Sequence, residues 1–470
     1  MTLPASALAV LVFYLAGITA FGTYLGRKRR SVEYYFLAGR TVPWWAITAC
    51  VVATETSTLT FTSVPGFAYT GNWSFLQLGL GYILGRMVVS LVLVPAYFRG
   101  QLFTSYELLR ARFGPSVRSV AAAVFLVYRT LADGVRLHAA ALVISVVAGI
   151  PEVACILVLA MAMMLYTEEG GVKATIWTDV IQLFVYLMGA LLILLAIVRR
   201  LPGGVAESLV SASAAGKLEV LNLSFDPAQA YTLWAGVLGG VFLTLATHGT
   251  DHYLVQRLLV ARSARDAGRG LILSGFVVCG QFVLFLLVGT LLWSFYRGRS
   301  FARGDEVLPS FVAAELPGPA IGFILAAVVA AALSPSLNSL ASSTLKDFYL
   351  PYLEPGATEA KQIQLGRLFT VFWGVAQAGV ALAAQRVSSS LEAGLTALSY
   401  ASGPTVGAFL LGVLTRRATT AGTLVGMLVG LVTPFLLGQL TPLAFTWNVA
   451  AGASVTCLVG LLASRRVDRG

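Results

Sequence analysis

Charge is what this chain has least of. Of its 470 residues, 11% are Asp, Glu, Lys or Arg, against about 25% in a soluble protein. Hydrophobic residues make up 57% and the mean hydropathy is +0.82. That excludes an ordinary soluble domain and leaves a polytopic membrane protein. Cysteine is nearly missing too: Cys50, Cys155, Cys279 and Cys457 stand singly in apolar segments. None has metal or redox spacing, so they read as small packing residues. There is no Walker motif, no HExxH and no GxSxG. No loop is long enough for a soluble catalytic domain. ATP-driven pumping and hydrolysis therefore have no visible machinery, and no enzyme is expected. No basic residue precedes the first apolar run, while Arg27-Lys28-Arg29-Arg30 follows it. This predicts an uncleaved first span with its N-terminus outside.

What is present is a series of apolar runs. Thirteen spans are expected, numbered zero to twelve: about 4–26, 43–70, 74–98, 117–149, 151–168, 173–198, 231–256, 270–295, 319–346, 363–385, 390–415, 419–439 and 443–464. With the N-terminus outside, 22 of the 32 Lys and Arg fall on the inner side, seven outside and three within spans. That is the bias of cytoplasmic loops. The net charge of +11 thus sets topology and requires no nucleic acid. The reading is a multi-pass protein of the plasma (inner) membrane with a cytoplasmic C-terminus.

Span one is long enough to cross a bilayer, yet its centre is not apolar. Ala53 to Ser63 reads ATETSTLTFTS, and Pro65-Gly66 follows. Polar, irregular backbone survives at that depth only inside protein or along a cavity, and a carboxylate there costs about 2.5–3.5 kcal/mol. The expectation is a helix unwound at its middle, offering carbonyls and side chains to a ligand or ion. The competing reading is a continuous helix whose hydroxyls bond back to the preceding turn and whose Glu55 meets an Arg. Span six has a similar interruption at Thr244 to His252, TLATHGTDH. Two interrupted spans, each opening a block of five, point to an inverted-repeat transporter with a site near the midplane. The chain divides into 1–42 (extra span and basic loop), 43–200 (first repeat), 201–230 (outer loop), 231–415 (second repeat) and 416–470 (two further spans and a short tail).

Several stretches resemble the sodium:solute symporter family: FLAGRTVPWWA (36–46), GGVKATIWTDVIQ (170–182), GTDHYLVQRLL (249–259) and SLNSLASSTLKDFY (336–349). The second and fourth are the specific ones. The wording of span one resembles the bacterial branch related to monocarboxylate, vitamin and iodide carriers. The resemblance implies an all-α LeuT-type fold with a five-plus-five inverted repeat, no cofactor, and Na+ as coupling ion between spans one and eight. Matched residue by residue, the implied sodium carbonyls are Ala53, Thr56 and Val328. The two implied hydroxyl ligands fall on Ala331 and Ala332, which have no oxygen to give. Ser334 is on a different face of the helix.

Three carboxylates stand nearby. Glu55 could ligate a cation, take a proton or form an ion pair. Asp179 matches a family carboxylate proposed to help ions leave inward; the plainer reading is helix capping or a pair with Lys173. Asp251 is expected to pair with Arg257. In span three Asp133 reaches Arg129 and Arg136 at i−4 and i+3, which leaves one positive charge over. Arg136, or Arg129, could receive a solute carboxylate through a bidentate pair. Arg86 reads as internally paired or snorkelling. The solute pocket is expected around Ser57, Thr60, Arg136, Thr247 and His248, with Thr56 beside it. Its small hydroxyls disfavour a hexose. Trp44 and Trp45 read as interface anchors. The function read from all this is a symporter of a small organic solute, a carboxylate among the candidates. Proton-coupled or cation-independent carriage is the alternative, and a transporter-like sensor the rival from another class.

Overall fold

The computed structural model describes residues 3–26, 40–99, 105–166, 172–332, 336–386 and 390–467. Arg27 to Arg30 and Ser334 lie outside them, as do the side chains of Lys173, Ala331 and Ala332. Among the described residues the chain is helical, with one isolated bridge between Val42 and Ala261 and no strand. The helices are α1 (Ala5–Gly26), α2 (Trp44–Glu55), α3 (Thr58–Thr70), α4 (Leu76–Phe98), α5 (Ser105–Phe113) and α6 (Pro115–Ala148). There follow α7 (Glu152–Tyr166), α8 (Val172–Val198), α9 (Gly204–Ala214), α10 (Leu233–Thr244), α11 (His252–Leu259) and α12 (Ala264–Phe295). The last are α13 (Val307–Glu315), α14 (Gly318–Ala332), α15 (Ser336–Ser343), α16 (Glu359–Ala384), α17 (Ser390–Leu414), α18 (Thr420–Leu440) and α19 (Asn448–Val467). Nine helical segments among the described residues are long and apolar enough to cross a membrane, and three shorter apolar ones accompany them. The protein is a multi-pass membrane protein.

Span one is interrupted at Thr56 and Ser57, between α2 and α3. Thr56 turns out of the helix at ψ 89°, and Ser57 is extended at φ −103°, ψ 173°. Hydroxyl side chains here compete for backbone carbonyls. Thr54 Oγ1 donates to Cys50 O at 2.7 Å and Thr62 Oγ1 to Thr58 O at 3.0 Å. The helical ladder closes with Thr56 N–H on Val52 O and restarts with Thr60 and Phe61 N–H on Ser57 O. The continuous-helix reading is therefore wrong, although the back-bonding it invoked does occur on both sides of the gap. Span six breaks differently. After α10 the chain widens into a π-turn, Leu245–Thr250, and Asp251 then leaves the helix at ψ 119°. Asp251 starts α11 afresh as its N-cap, its side chain accepting from Tyr253 N–H.

Small residues let these pieces approach backbone to backbone, as membrane helices require. A Cβ on Gly289 of α12 would overlap the Pro65 carbonyl of α3, and one on Gly66 would overlap Gly304. Gly81 of α4 packs against Gly236 and Gly240 of α10 in the same way. Trp44 and Trp45 stay partly exposed at the start of α2, Trp45 edge-on to Trp177.

Overpacking at such contacts costs about 1–3 kcal/mol or more. Gly289→Val is expected to lower the thermal midpoint of the purified protein and to reduce the monodisperse fraction. Thermal fluorescence and size-exclusion chromatography check both, and an unchanged midpoint contradicts the close α3–α12 approach.

Candidate functional site

The two breaks lie against one cavity of about 100 Å3. Glu55, Ser57 and Thr60 from the first break and Thr247 and His248 from the second line it, with Arg136 from α6. All five residues expected around the solute thus come together, although they span 192 positions of sequence. The rest of the wall is mostly apolar, from Leu243 and Leu254 to Leu391, Leu395 and Leu398. Phe75, Tyr82 and Phe282 also line it, as do Thr54 and Arg129. These aromatics were not singled out from sequence, because nothing distinguishes a cavity-facing aromatic from a packing one in an apolar run.

Glu55 is an ion-pair member. It bonds Arg86 of α4, which is fully buried, and lies 3.5 Å from His248 Nε2. Arg86 also stands 3.3 Å from His248 Nε2, and His248 Nδ1 is 2.8 Å from Thr247 Oγ1. One carboxylate and one guanidinium thereby tie both breaks to α4. A buried carboxylate persists in such a place only when paired and hydrogen-bonded.

Thr56, expected beside the solute, points its hydroxyl elsewhere: Oγ1 donates to Gln281 Oε1 on α12 at 2.8 Å. Gln281, buried and invisible to the sequence reading, is what holds the unwound residue. Ser57 O accepts from Tyr186 of α8 at 3.0 Å. On the far side of the break, Thr58 Oγ1 lies 3.5 Å from Val328 O. The first turn of α3 therefore does face α14, where the implied sodium carbonyl sits.

The charged groups around the cavity do not all pair as expected. Asp251 does not meet Arg257. The two are six residues apart, nearly two turns of helix and on different faces. Asp251 faces Arg129 at 3.4 Å, and Arg257 turns to Asp179 at 3.2 Å. Asp179 also accepts from Cys50 Sγ at 3.1 Å and Thr54 Oγ1 at 3.5 Å. Asp133 does reach both arginines of its own helix, Arg129 at 2.8 Å and Arg136 at 3.7 Å. The positive charge left over in span three is cancelled by Asp251. Arg86, Arg129, Arg136 and Arg257 then stand against Glu55, Asp133, Asp179 and Asp251, with equal numbers of each sign.

Removing one partner of a buried pair costs about 3–5 kcal/mol, while removing both can be nearly neutral. Arg86→Met alone is expected to lower the thermal midpoint strongly, and Glu55→Gln together with Arg86→Met to recover most of the loss. Additive losses in this double-mutant cycle contradict the pairing.

Comparison with known proteins places this arrangement. The model of the sodium:solute symporter family matches residues 35–430. The chain is 27% identical over 474 residues to the sodium/sialic acid symporter SiaT of Proteus mirabilis, covering 97% of this chain and 94% of that one. It is 30% identical over 445 residues to the human sodium/iodide cotransporter, covering 90% of this chain and 68% of that one. The fold matches a substrate-bound, outward-open Na+-coupled sialic acid symporter with a TM-score of 0.88 at 26% identity, over 98% of both chains. Mhp1, a nucleobase-cation-symport-1 family transporter, shares the fold alone, with a TM-score of 0.62 at 15% identity over 92% of this chain and 94% of that one. These relatives are named as transporters, not enzymes. With its two broken spans around one cavity and a family match over most of its length, the chain belongs to the sodium:solute symporter family.

Proposed function

We propose that the protein carries a small organic solute together with sodium by alternating access, through the cavity between the two breaks. Thirteen spans in a five-plus-five inverted repeat, with the domain divisions given above, fit this reading. So does a plasma (inner) membrane location with the N-terminus outside. Relatives named as sodium symporters favour sodium over a proton-coupled or cation-independent carrier. Glu55, tied up with Arg86, is poorly placed to act as a proton carrier.

One observation carries the solute class. Arg136 lines the cavity with its side chain 27% exposed, and among the described residues its ion-pair contact is Asp133 at 3.7 Å. Arg86 and Arg129 are more closely held. A solute carboxylate can approach Arg136 in bidentate fashion. The cavity's polar groups come from the two breaks and from α6, and leucines and aromatics make most of the remaining wall. Ligand sites for drug-sized molecules run to roughly 300–1,000 Å3, and this one is smaller. The solute that fits is a small monocarboxylate with an apolar body. A polyhydroxylated sugar would find few partners on that wall.

The sodium site lacks two hydroxyls at Ala331 and Ala332, and unwound carbonyls alone give an ion few oxygens. Thr58 repairs part of this. Its hydroxyl, on the first turn after the break, stands 3.5 Å from the Val328 carbonyl and supplies an oxygen that the residue matching did not find. Ala53, Thr56, Val328 and Thr58 are the proposed sodium ligands, and Asp179 lies on the route by which the ion leaves.

Two measurements test this. In proteoliposomes, a panel of radiolabelled monocarboxylates including pyruvate and nicotinate is expected to accumulate under an inward sodium gradient. Loss of a charge-assisted bond worth about 1.5–3 kcal/mol makes Arg136→Gln cut that uptake roughly tenfold or more. Uptake driven by a proton gradient alone contradicts the sodium assignment. Separately, sodium is expected to raise the thermal midpoint of the protein, less so in Thr58→Val and more so in Ala331→Ser. An identical sodium response in all three removes Thr58 from the site.

A further inference from the structure

The eight residues of α11 follow the second break, and both ends of the helix are fastened. At its start Asp251 faces Arg129 of α6 at 3.4 Å, and Arg129 is itself fixed by Asp133 at 2.8 Å. Near its end Arg257 meets Asp179 of α8 at 3.2 Å. Asp179 in turn takes the Cys50 thiol and the Thr54 hydroxyl of α2. Between the two pairs lies Tyr253. The guanidinium carbons of Arg129 and Arg257 are 4.3 and 4.1 Å from its ring centroid. A ring face attracts a cation, so one side chain holds two like charges that would otherwise repel.

This ladder borders the cavity. Thr54, Arg129 and Leu254 belong to the cavity wall, while the chain beyond α11 runs into Arg262, Arg265 and Arg269. The ladder is also incompletely satisfied. Among the described residues, Arg129 Nη2 and Arg257 Nε are buried without a hydrogen-bond partner. A buried donor left unmade is a standing cost, which falls once water can reach it. The closed arrangement is therefore held, but not so firmly that it cannot be left.

We propose that Asp251 and Asp179 are positioning residues that clamp α11 against α6 and α8, closing the route from the cavity to the basic end of the molecule. This rests on the reading of the cavity as the solute site. Neither residue touches the solute; each acts through an arginine.

Native Cys50 reports on the clamp. It is 1% exposed, hydrogen-bonded to Asp179, and separated from Asp251 by the whole ladder. The full chain, carrying Cys155→Ala, Cys279→Ala and Cys457→Ala, is reconstituted in proteoliposomes. Alkylation of Cys50 by a water-soluble methanethiosulfonate is timed without any solute. Asp251→Asn keeps the helix cap, since Asn caps as well as Asp, and removes only the charge. It is expected to speed Cys50 labelling at least roughly tenfold, the factor given by 1.4 kcal/mol. Asp133→Asn is expected to act in the same direction. Arg257→Lys, which keeps the charge but not the flat group over Tyr253, is expected to give a smaller acceleration. A monodisperse Asp251→Asn protein labelled at the parental rate overturns the proposal. If that variant is not recovered folded, Arg129→Gln is read by the same criterion. Because labelling needs no solute, failure of the solute reading shows separately, as uptake unaffected by Arg136→Gln.

Discussion

Backbone that leaves its helix within the hydrocarbon must be satisfied by protein, and this requirement organises the molecule. At Thr56 and Ser57 the chain gives up its own ladder. Gln281 takes the Thr56 hydroxyl, Tyr186 gives its hydroxyl to Ser57 O, and Thr58 reaches Val328 O. Those partners come from α12, α8 and α14, so the break can exist only where these helices surround it. The glycine contacts of α3 with α12 and of α4 with α10 bring them close enough. The unwound segment and the helix packing are thus one condition, since open backbone in lipid would cost several kcal/mol per group.

Charge follows the same logic. A lone ion inside a membrane protein is expensive, and such groups pair and face the interior. The four arginines and four carboxylates around the cavity form three linked sets: one across the two breaks, one on α6 reaching α11, one from α11 to α8. Since the sets balance, the cavity has no large excess charge to draw ions in at random. Among the four arginines, Arg136 has the longest ion-pair contact, and the proposed solute selectivity rests on it. The same balance separates two jobs. Glu55 and Arg86 keep the breaks together, while the ladder around Tyr253 joins α11 to α6 and α8.

Much of this was legible in the sequence, and the limits have physical causes. The apolar runs and the two polar interruptions could be read because a bilayer imposes length and hydropathy on each span. The gathering of Ser57, Thr60, Arg136, Thr247 and His248 was expected from the two interruptions and from the family resemblance of spans one, three and six. Ion-pair partners were not legible. Asp251 meets Arg129, 122 positions away, and not Arg257, six away, because helix phase and packing choose the partner. Asp133 was read correctly because its partners lie on its own helix. Gln281 escaped notice as one polar residue in an apolar helix, its meaning fixed only by what faces it. The absence of hydroxyls at the implied sodium positions Ala331 and Ala332 was plain from the sequence, but Thr58, proposed as a substitute, was not, because its contact with Val328 O depends on where the break packs against α14.

The central claim is that the first core span is interrupted at Thr56–Ser57, beside a cavity, and that the groups around the break are met by α8, α12 and α14. A cryo-electron microscopy map of the protein in lipid nanodiscs tests it most directly. The account predicts extended backbone at those two residues, the Thr58 hydroxyl against the Val328 carbonyl, and a cavity bounded by Ser57 and Arg136. A helical ladder running unbroken from Trp44 to Thr70, or leucine and phenylalanine filling the space between Ser57 and Arg136, would contradict it.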